Sequence, residues 1–311
     1  MESPLSAVKR PRSFKPKKRL QKDIVGKYMF VLPGLLFLAV FMLFPIGYNV
    51  YLTFHNVTVF NIMSGYEFTW FDNYKAVLTD AVFLQSMKNS VVFTTLCLLF
   101  QFVIGLALAL FFNKTFPGRG LFRALLLMAW MIPLVITGTL FQWMFAGEYG
   151  VINHFLLWAN IIEEPIYWVS NEQTALYSTI IANIWIGIPF NMVILLAGLQ
   201  SLPTDIYEAA RVDGASKWQQ FFAITLPLLK PTLFILVMLG IIYTFKVFDI
   251  ILIMTKGGPL YASTVMPFYA YEQAFINYNF SIGATITTVM LALLIVVSLI
   301  YLRIARKEDA A

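Results

Sequence analysis

The chain has 311 residues, 59% of them hydrophobic and 12% charged, with a formal net charge of +6. Soluble domains average about 25% charged residues, so the composition excludes an ordinary water-soluble globule and points to lipid as the solvent. The positive charge gathers in one tail and a few loops, the pattern of an orientation signal, so no nucleic-acid partner is expected.

A spanning helix takes about 20 mostly apolar residues. Lipid offers backbone groups no hydrogen-bond partners, so such runs must be helical. In chain order, residues 1–26 read as a disordered basic tail. The first span, Tyr28–Thr53, contains Pro33, Gly34, Pro45 and Gly47, so a kink or tilt is expected. Its apolar core is longer than the roughly 7–15 residues of a signal peptide, so it stays as a span. After the polar, aromatic outer loop Phe54–Ala81 comes a second span, Val82–Phe112. It holds the lone cysteine, Cys97, read as a packing residue. The third span is Leu121–Phe145, followed by an outer stretch, Ala146–Thr174, without a basic residue. Within that stretch, Val151–Ile162 is too short to cross and reads as an interfacial amphipathic helix. Spans at Ala175–Leu199, Leu228–Met254 and Ile282–Leu302 follow, and the third outer loop, Lys256–Ser281, begins with the turn Lys256-Gly257-Gly258-Pro259. The expected fold is all-α: a polytopic bundle of six transmembrane helices over 27–305, with a short tail at 306–311.

Orientation follows from Lys and Arg. The amino-terminal tail carries Lys9, Arg10, Arg12, Lys15, Lys17, Lys18, Arg19, Lys22 and Lys27. Lys114, Arg119 and Arg123 follow the second span, Arg211, Lys217 and Lys230 lie between the fourth and fifth, and Arg303, Arg306 and Lys307 close the chain. These all fall on one side of a six-span arrangement, whereas Lys75, Lys88 and Lys256 fall on or near the other and Lys246 within a span. The positive-inside rule puts that side, with both termini, in the cytoplasm.

Between the fourth and fifth spans runs the polar stretch EAARVDGASKWQQFFAITLP, Glu208–Pro227. Pro203 can open a helix there, which continues through Ile206, Tyr207, Ala209, Ala210 and Val212 until Asp213-Gly214 stops it. Ser216-Lys217-Trp218-Gln219 reads as a capping box. The second helix then places Trp218, Phe221, Phe222 and Thr225 on one side before Pro227 ends it. The result is a helix–turn–helix on the cytoplasmic face. On amphipathicity alone it either docks a partner or packs on its own bundle.

Glu208-Ala209-Ala210, three residues, Gly214, nine residues and Ile224-Thr225-Leu226-Pro227 together resemble the EAA signature of ABC importer permeases. Ala197-Gly198-Leu199-Gln200-Ser201-Leu202-Pro203 and Asp213-Gly214-Ala215 resemble its carbohydrate branch, the maltose and glycerol-phosphate type. Weaker matches are Phe71-Asp72-Asn73-Tyr74, Tyr149-Gly150-Val151-Ile152-Asn153, Trp185 with Pro189-Phe190, and Thr255-Lys256-Gly257-Gly258-Pro259, where Lys256 replaces a glycine found in many members. The resemblance implies a type I ABC importer permease fold in the cytoplasmic (inner) membrane. Residues 203–227 would be a coupling segment held by a separate ATPase through Glu208, Ala209, Ala210, Asp213, Gly214, Trp218 and Phe221. Implied partners are a second, homologous permease, two ATP-binding cassette ATPase subunits, an extracytoplasmic solute-binding protein, the lipid bilayer and a sugar substrate (an oligosaccharide or related polyol).

Ionisable groups inside a span are functional candidates because burying an unpaired charge is costly. Lys246 and Asp249, three residues apart, would share a helix face and neutralise each other. They would serve either an outer vestibule or a structural pair. Asn183, Gly187 and Asn191 recur every four residues in the fourth span. A sugar site wants amides, hydroxyls and an aromatic plate, which Asn183, Trp185, Asn191, Tyr243 and Lys246 can supply, although each can equally well bridge or pack helices. No nucleotide site is expected in this chain: its one Gly-Lys pair, Gly26-Lys27, is followed by tyrosine and not by the Ser or Thr of a phosphate-binding loop. ATP and Mg would sit on the partner ATPases. No catalytic or metal-binding set is read, since His55 and His154 lie apart in outer regions, so an enzyme is not expected. A membrane-embedded sugar transferase would need clustered acids, and Asp205, Glu208 and Asp213 already belong to the coupling pattern. The remaining alternative, a proton-coupled secondary transporter of a small polar solute, would use Lys246 and Asp249 but would usually show paired repeats, and none is found.

Overall fold

The computed structural model describes residues 19–308, with side chains from 29 to 305. The expected tail residues 1–18 lie outside the described residues. Helix α1 begins at Arg19 and runs to Leu38, so residues 19–26, expected in the tail, are helical. The chain divides into one unit up to Asn49 and a second from Val50.

In the first unit α1 passes through a π-helical turn, Ala39–Leu43, into α2, Phe44–Thr53, whose residues from Val50 on belong to the second unit. The Phe44 amide reaches back to the Ala39 carbonyl. Pro45, next in line, has no amide to continue the ladder. The widened turn is the form taken by the irregularity expected from the prolines and glycines of this span.

The second unit contains α3 (Asp72–Thr79), α4 (Ala81–Asn113), α5 (Arg119–Met131), α6 (Leu134–Met144), α7 (Val151–Trp158) and α8 (Ala175–Gln200). The polar segment forms α9 (Thr204–Val212), α10 (Lys217–Gln220) and α11 (Leu226–Leu228). After these come α12 (Lys230–Phe245), α13 (Asp249–Met254), α14 (Met266–Tyr271) and α15 (Phe280–Glu308). Among the described residues five helical stretches are long and apolar enough to cross a bilayer, or six if α5 and α6 count as one.

That pair corrects the third expected span. Leu121–Phe145 is not one helix: α5 and α6 meet at 94°. Ile132, the residue before a proline, is extended at φ −71°, ψ 129°. Pro133 then has no amide to continue the α5 ladder. The fifth span is also interrupted. The Val247 amide turns back to the Thr244 carbonyl at 3.1 Å, closing α12, and Asp249 opens α13. Lys246 and Asp249 therefore do not share a helix face, and no ion pair joins them. The third outer loop is not plain loop either: α14 and a π-helical turn, Glu272–Ile276, lie in it and bury Met266, Phe268 and Tyr269. At the carboxyl end α15 continues to Glu308, taking in residues expected in the tail.

The core is centred on α4 and α8. A cluster of Phe93, Cys97, Ile180, Ile251 and Phe268 joins α4, α8, α13 and α14, with Cys97 fully buried as a packing group. A second cluster of Ala109, Phe112, Met192, Leu195, Leu229 and Leu236 lies toward the end that carries α9.

Polar side chains order the segments between the long helices. Asn73 donates to the carbonyls of Thr53 (2.9 Å) and His55 (2.8 Å), fixing α3 against the end of α2. Asn153, fully buried, donates to the carbonyls of Gly147 (2.7 Å) and Ile166 (2.8 Å) and accepts from the Trp168 indole (2.7 Å). Asp80 caps α4, accepting from the Val82 amide at 2.6 Å and from the Tyr269 hydroxyl at 2.6 Å. Burial first, and then this bond to a carboxylate, pushes the Tyr269 phenol up. Burial also raises the carboxyl of Glu272, whose Oε2 has no hydrogen-bond partner. Lys256 adopts φ +50°, a left-handed conformation that glycine takes without strain. This gives a backbone reason why glycine suits that position.

Candidate functional site

Two places in the second unit concentrate functional chemistry. The first is the segment 203–227. Helix α9 ends in a Schellman motif: the Gly214 amide bonds the Arg211 carbonyl (3.2 Å), and the Ala215 amide bonds the Ala210 carbonyl (2.9 Å). Gly214 is left-handed at φ +76° with open space around it, so a side chain there would meet backbone strain and not a clash. The capping box is complete, with the Ser216 amide donating to Gln219 Oε1 (2.8 Å) and the Gln219 amide to Ser216 Oγ (3.3 Å). The two arms are braced by a Tyr207–Thr225 hydroxyl contact of 2.9 Å. Pro227 does not end the second arm. A π-helical turn, Phe221–Thr225, leads into α11, with the Leu226 amide reaching back to Phe221. The wider turn sets the register in which the amide-free Pro227 is accommodated.

Among its charged and polar residues this segment also shows large apolar side chains to solvent. Val212 is 88% exposed, Trp218 73% and Phe222 59%. The Trp218 and Phe222 rings stack at 6.0 Å and 15°, with Phe221 edge-on to Phe222 at 5.0 Å. Glu208 and Arg211 pair at 3.8 Å in the open, a contact of little energetic weight. Ala209 and Asp213 are exposed and Ala210 is half-buried. Val212, Phe222 and the Tyr207–Thr225 brace add to the coupling set that sequence reasoning named. The stacking of residues four apart was legible from spacing, but the brace was not.

The second place is a cavity of about 550 Å³ among α4, the α5–α6 bend, α8 and the α12–α13 break. It gathers Asn183, Asn191, Tyr243, Lys246 and Asp249 from the expected set. Trp185 does not line it and rests edge-on against Phe141 at 5.7 Å. Gln101, Trp130, Phe190 and Thr244 join the lining, and sequence reasoning had not singled them out as path residues. The signal that could have found Gln101 is that it is the one amide in the run 91–112, although its partners are not readable from spacing.

Gln101 sets the polar wall. Its Nε2 donates to the Asn183 carbonyl (2.8 Å), and its Oε1 accepts from Asn191 Nδ2 (3.4 Å), which also donates to the Gly187 carbonyl (2.9 Å). This approach needs glycine at 187, because a Cβ there would lie 2.2 Å from Gln101 Nε2. The apolar wall is aromatic. Trp130 stacks on Phe190 with centroids 5.5 Å apart, and Phe190 meets Tyr243 at 6.5 Å and 78°. The Lys246 ammonium sits 4.8 Å from the Tyr243 ring centroid, a cation–π distance. Amides that donate and accept beside flat π faces suit a polyhydroxylated ligand.

Comparison with known proteins agrees with the architecture. Over 281 residues the chain is 34% identical to a sulfoquinovosyl glycerol transport system permease protein of Agrobacterium fabrum, covering 90% of each chain. Over 279 residues it is 33% identical to a trehalose/maltose transport system permease protein of Thermococcus litoralis, covering 90% of this chain and 93% of the relative. A chain of a bacterial alginate ABC transporter, solved with an alginate pentasaccharide-bound periplasmic protein, superposes with a TM-score of 0.80 at 24% identity, covering 93% of this chain and 98% of that one. Residues 101–309 match the family described as binding-protein-dependent transport system inner membrane component, and the chain belongs to that family.

Proposed function

We propose that the chain is the permease subunit of an ATP-driven importer that carries an oligosaccharide or related polyol delivered by a solute-binding protein. The observation that carries this reading is the exposed apolar side chains of Val212, Trp218 and Phe222 on a segment stiffened by two caps and a hydroxyl brace. A stiff projection with large aromatic anchors is the form of a docking hot spot, and here it would sit on a separate ATPase. The relatives named for trehalose/maltose and sulfoquinovosyl glycerol, and the aromatic and amide lining of the cavity, support a sugar.

In this reading both termini and residues 203–227 are cytoplasmic, and ATP and Mg bind two partner ATPases, not this chain. A second permease completes the path, and the cavity with Gln101, Trp130, Asn183, Phe190, Asn191, Tyr243 and Lys246 is this subunit's share of it. ATPase closure would move the coupling segments together and turn the path outward to the binding protein. Purification with its co-expressed neighbours tests this. Co-elution of an ATPase whose turnover rises with binding protein and sugar is expected, whereas solute flux that persists after nucleotide is withdrawn would replace it with secondary transport.

A further inference from the structure

Lys246 and Asp249 both line the cavity, yet no ion pair joins them. The helix stops at the first and restarts at the second, which separates groups that an unbroken helix would have let neutralise each other. Lys246 is held by the face of Tyr243 and no carboxylate lies within ion-pair distance of it. The other polar groups of the wall, the amides of Gln101, Asn183 and Asn191 and the hydroxyls of Tyr243 and Thr244, are neutral. Within this chain's share of the path, one positive and one negative group therefore line a space of about 550 Å³, and this chain's own charges there sum to zero.

We infer that the cavity is a charge-balanced sieve that admits uncharged saccharides and rejects those bearing a carboxylate or phosphate. This rests on the proposed reading that the ligand crosses this cavity. A hydroxyl-rich neutral ligand can accept from the Lys246 ammonium and donate to the Asp249 carboxylate, so both keep a partner as water leaves. An anionic ligand gains at Lys246 and loses a comparable amount at Asp249. It must also shed its hydration, a cost that the zero net charge leaves uncompensated. The π faces of Trp130 and Phe190, negative at their centres, add to the rejection.

The test uses the assembled complex in lipid nanodiscs without the solute-binding protein, so that the binding protein's own selectivity does not enter. Binding is read as fluorescence quenching that is lost in Trp130→Phe, which isolates the cavity tryptophan from the rest. The probes are a panel of neutral di- and trisaccharides and their uronate counterparts. The wild-type complex is expected to bind a neutral member and to bind its uronate at least about tenfold more weakly. Asp249→Asn, which leaves the cavity with one positive charge, should raise uronate affinity on the order of tenfold. Lys246→Met should leave uronate binding undetectable. Matching melting curves for the two variants show that folding is not the cause. Equal affinity for neutral and uronate ligands in the wild type, or no uronate gain in Asp249→Asn, would overturn the sieve. So would the absence of any Trp130 signal in a complex whose ATPase, with binding protein added back, is stimulated by saccharide, which leaves the transport reading standing. A complex whose ATPase responds to no saccharide even after the binding protein is added back would overturn both.

Discussion

Residues 203–227 and the central cavity are held by interactions of different range. In residues 203–227 the bonds are local: Ser216 with Gln219, Gly214 with Arg211, Ala215 with Ala210, and among the described residues only Tyr207–Thr225 reaches from one arm to the other. In the cavity they are long-range, with Gln101 meeting residues 82 and 90 positions away. The first region keeps its shape by itself and exposes its large side chains. The second exists only when two long helices approach closely, and it turns its polar groups inward. A projection from the surface can be locally specified, whereas a cavity between helices must be specified by the whole bundle.

The contrast is most severely tested at the helix contact. Gly187→Leu would drive a side chain into Gln101, and overpacking of this kind costs about 1–3 kcal/mol. A lowered melting temperature of the whole chain is expected in detergent, and an unchanged one would break the claim of long-range specification. Next comes Trp218→Ala, which should weaken ATPase binding by about 2 kcal/mol, roughly thirtyfold, without moving the melting curve. Normal affinity in a binding assay would remove the aromatic pair as the anchor. Ser216→Ala should cost about 1 kcal/mol and speed amide hydrogen exchange only between about residues 215 and 228. If exchange also rose around Gln101, the two regions would not be independent.

A smaller effect is expected at Glu272, which unlike the cavity amides has a buried oxygen without a partner. Burial raises its folded-state pKa, so the native chain holds this proton more tightly than the unfolded chain. The associated stability is present below the ordinary glutamate range and is lost as pH rises through the folded value. Glu272→Gln should therefore stabilise the chain at neutral pH and not in acid, as melting curves across a pH series would show. A gain independent of pH would assign the effect to packing.

The same division of range decides how much could be read from residues alone. Five of the expected spans follow from apolar length, and the capping box and the Gly214 stop from spacing, because their partners lie within a few residues. The bend at Ile132 and Pro133 was hidden inside a run apolar enough to pass for one helix. Lys246 and Asp249 were expected to pair because the three-residue rule assumes an unbroken helix, and neither proline nor glycine marks the break at Val247. Trp185 was expected at the cavity with its polar neighbours, but its position on α8 turns it to Phe141, while Phe190 and, from another helix, Trp130 supply the aromatic wall. Helix α14, six residues long, is too short to leave a periodic pattern.

A nascent chain offers its hydrophobic stretches to the insertion machinery one after another. α5 and α6 have 13 and 11 residues, which at 1.5 Å per residue reach about 20 and 17 Å, less than the roughly 30 Å of hydrocarbon. Neither is long enough to be retained alone, but α5 lies against α8, and α6 against α8 and α13. The third crossing is therefore secured only once the ribosome has delivered the helices that follow it, and a chain truncated before Ala175 should leave that stretch accessible to protease.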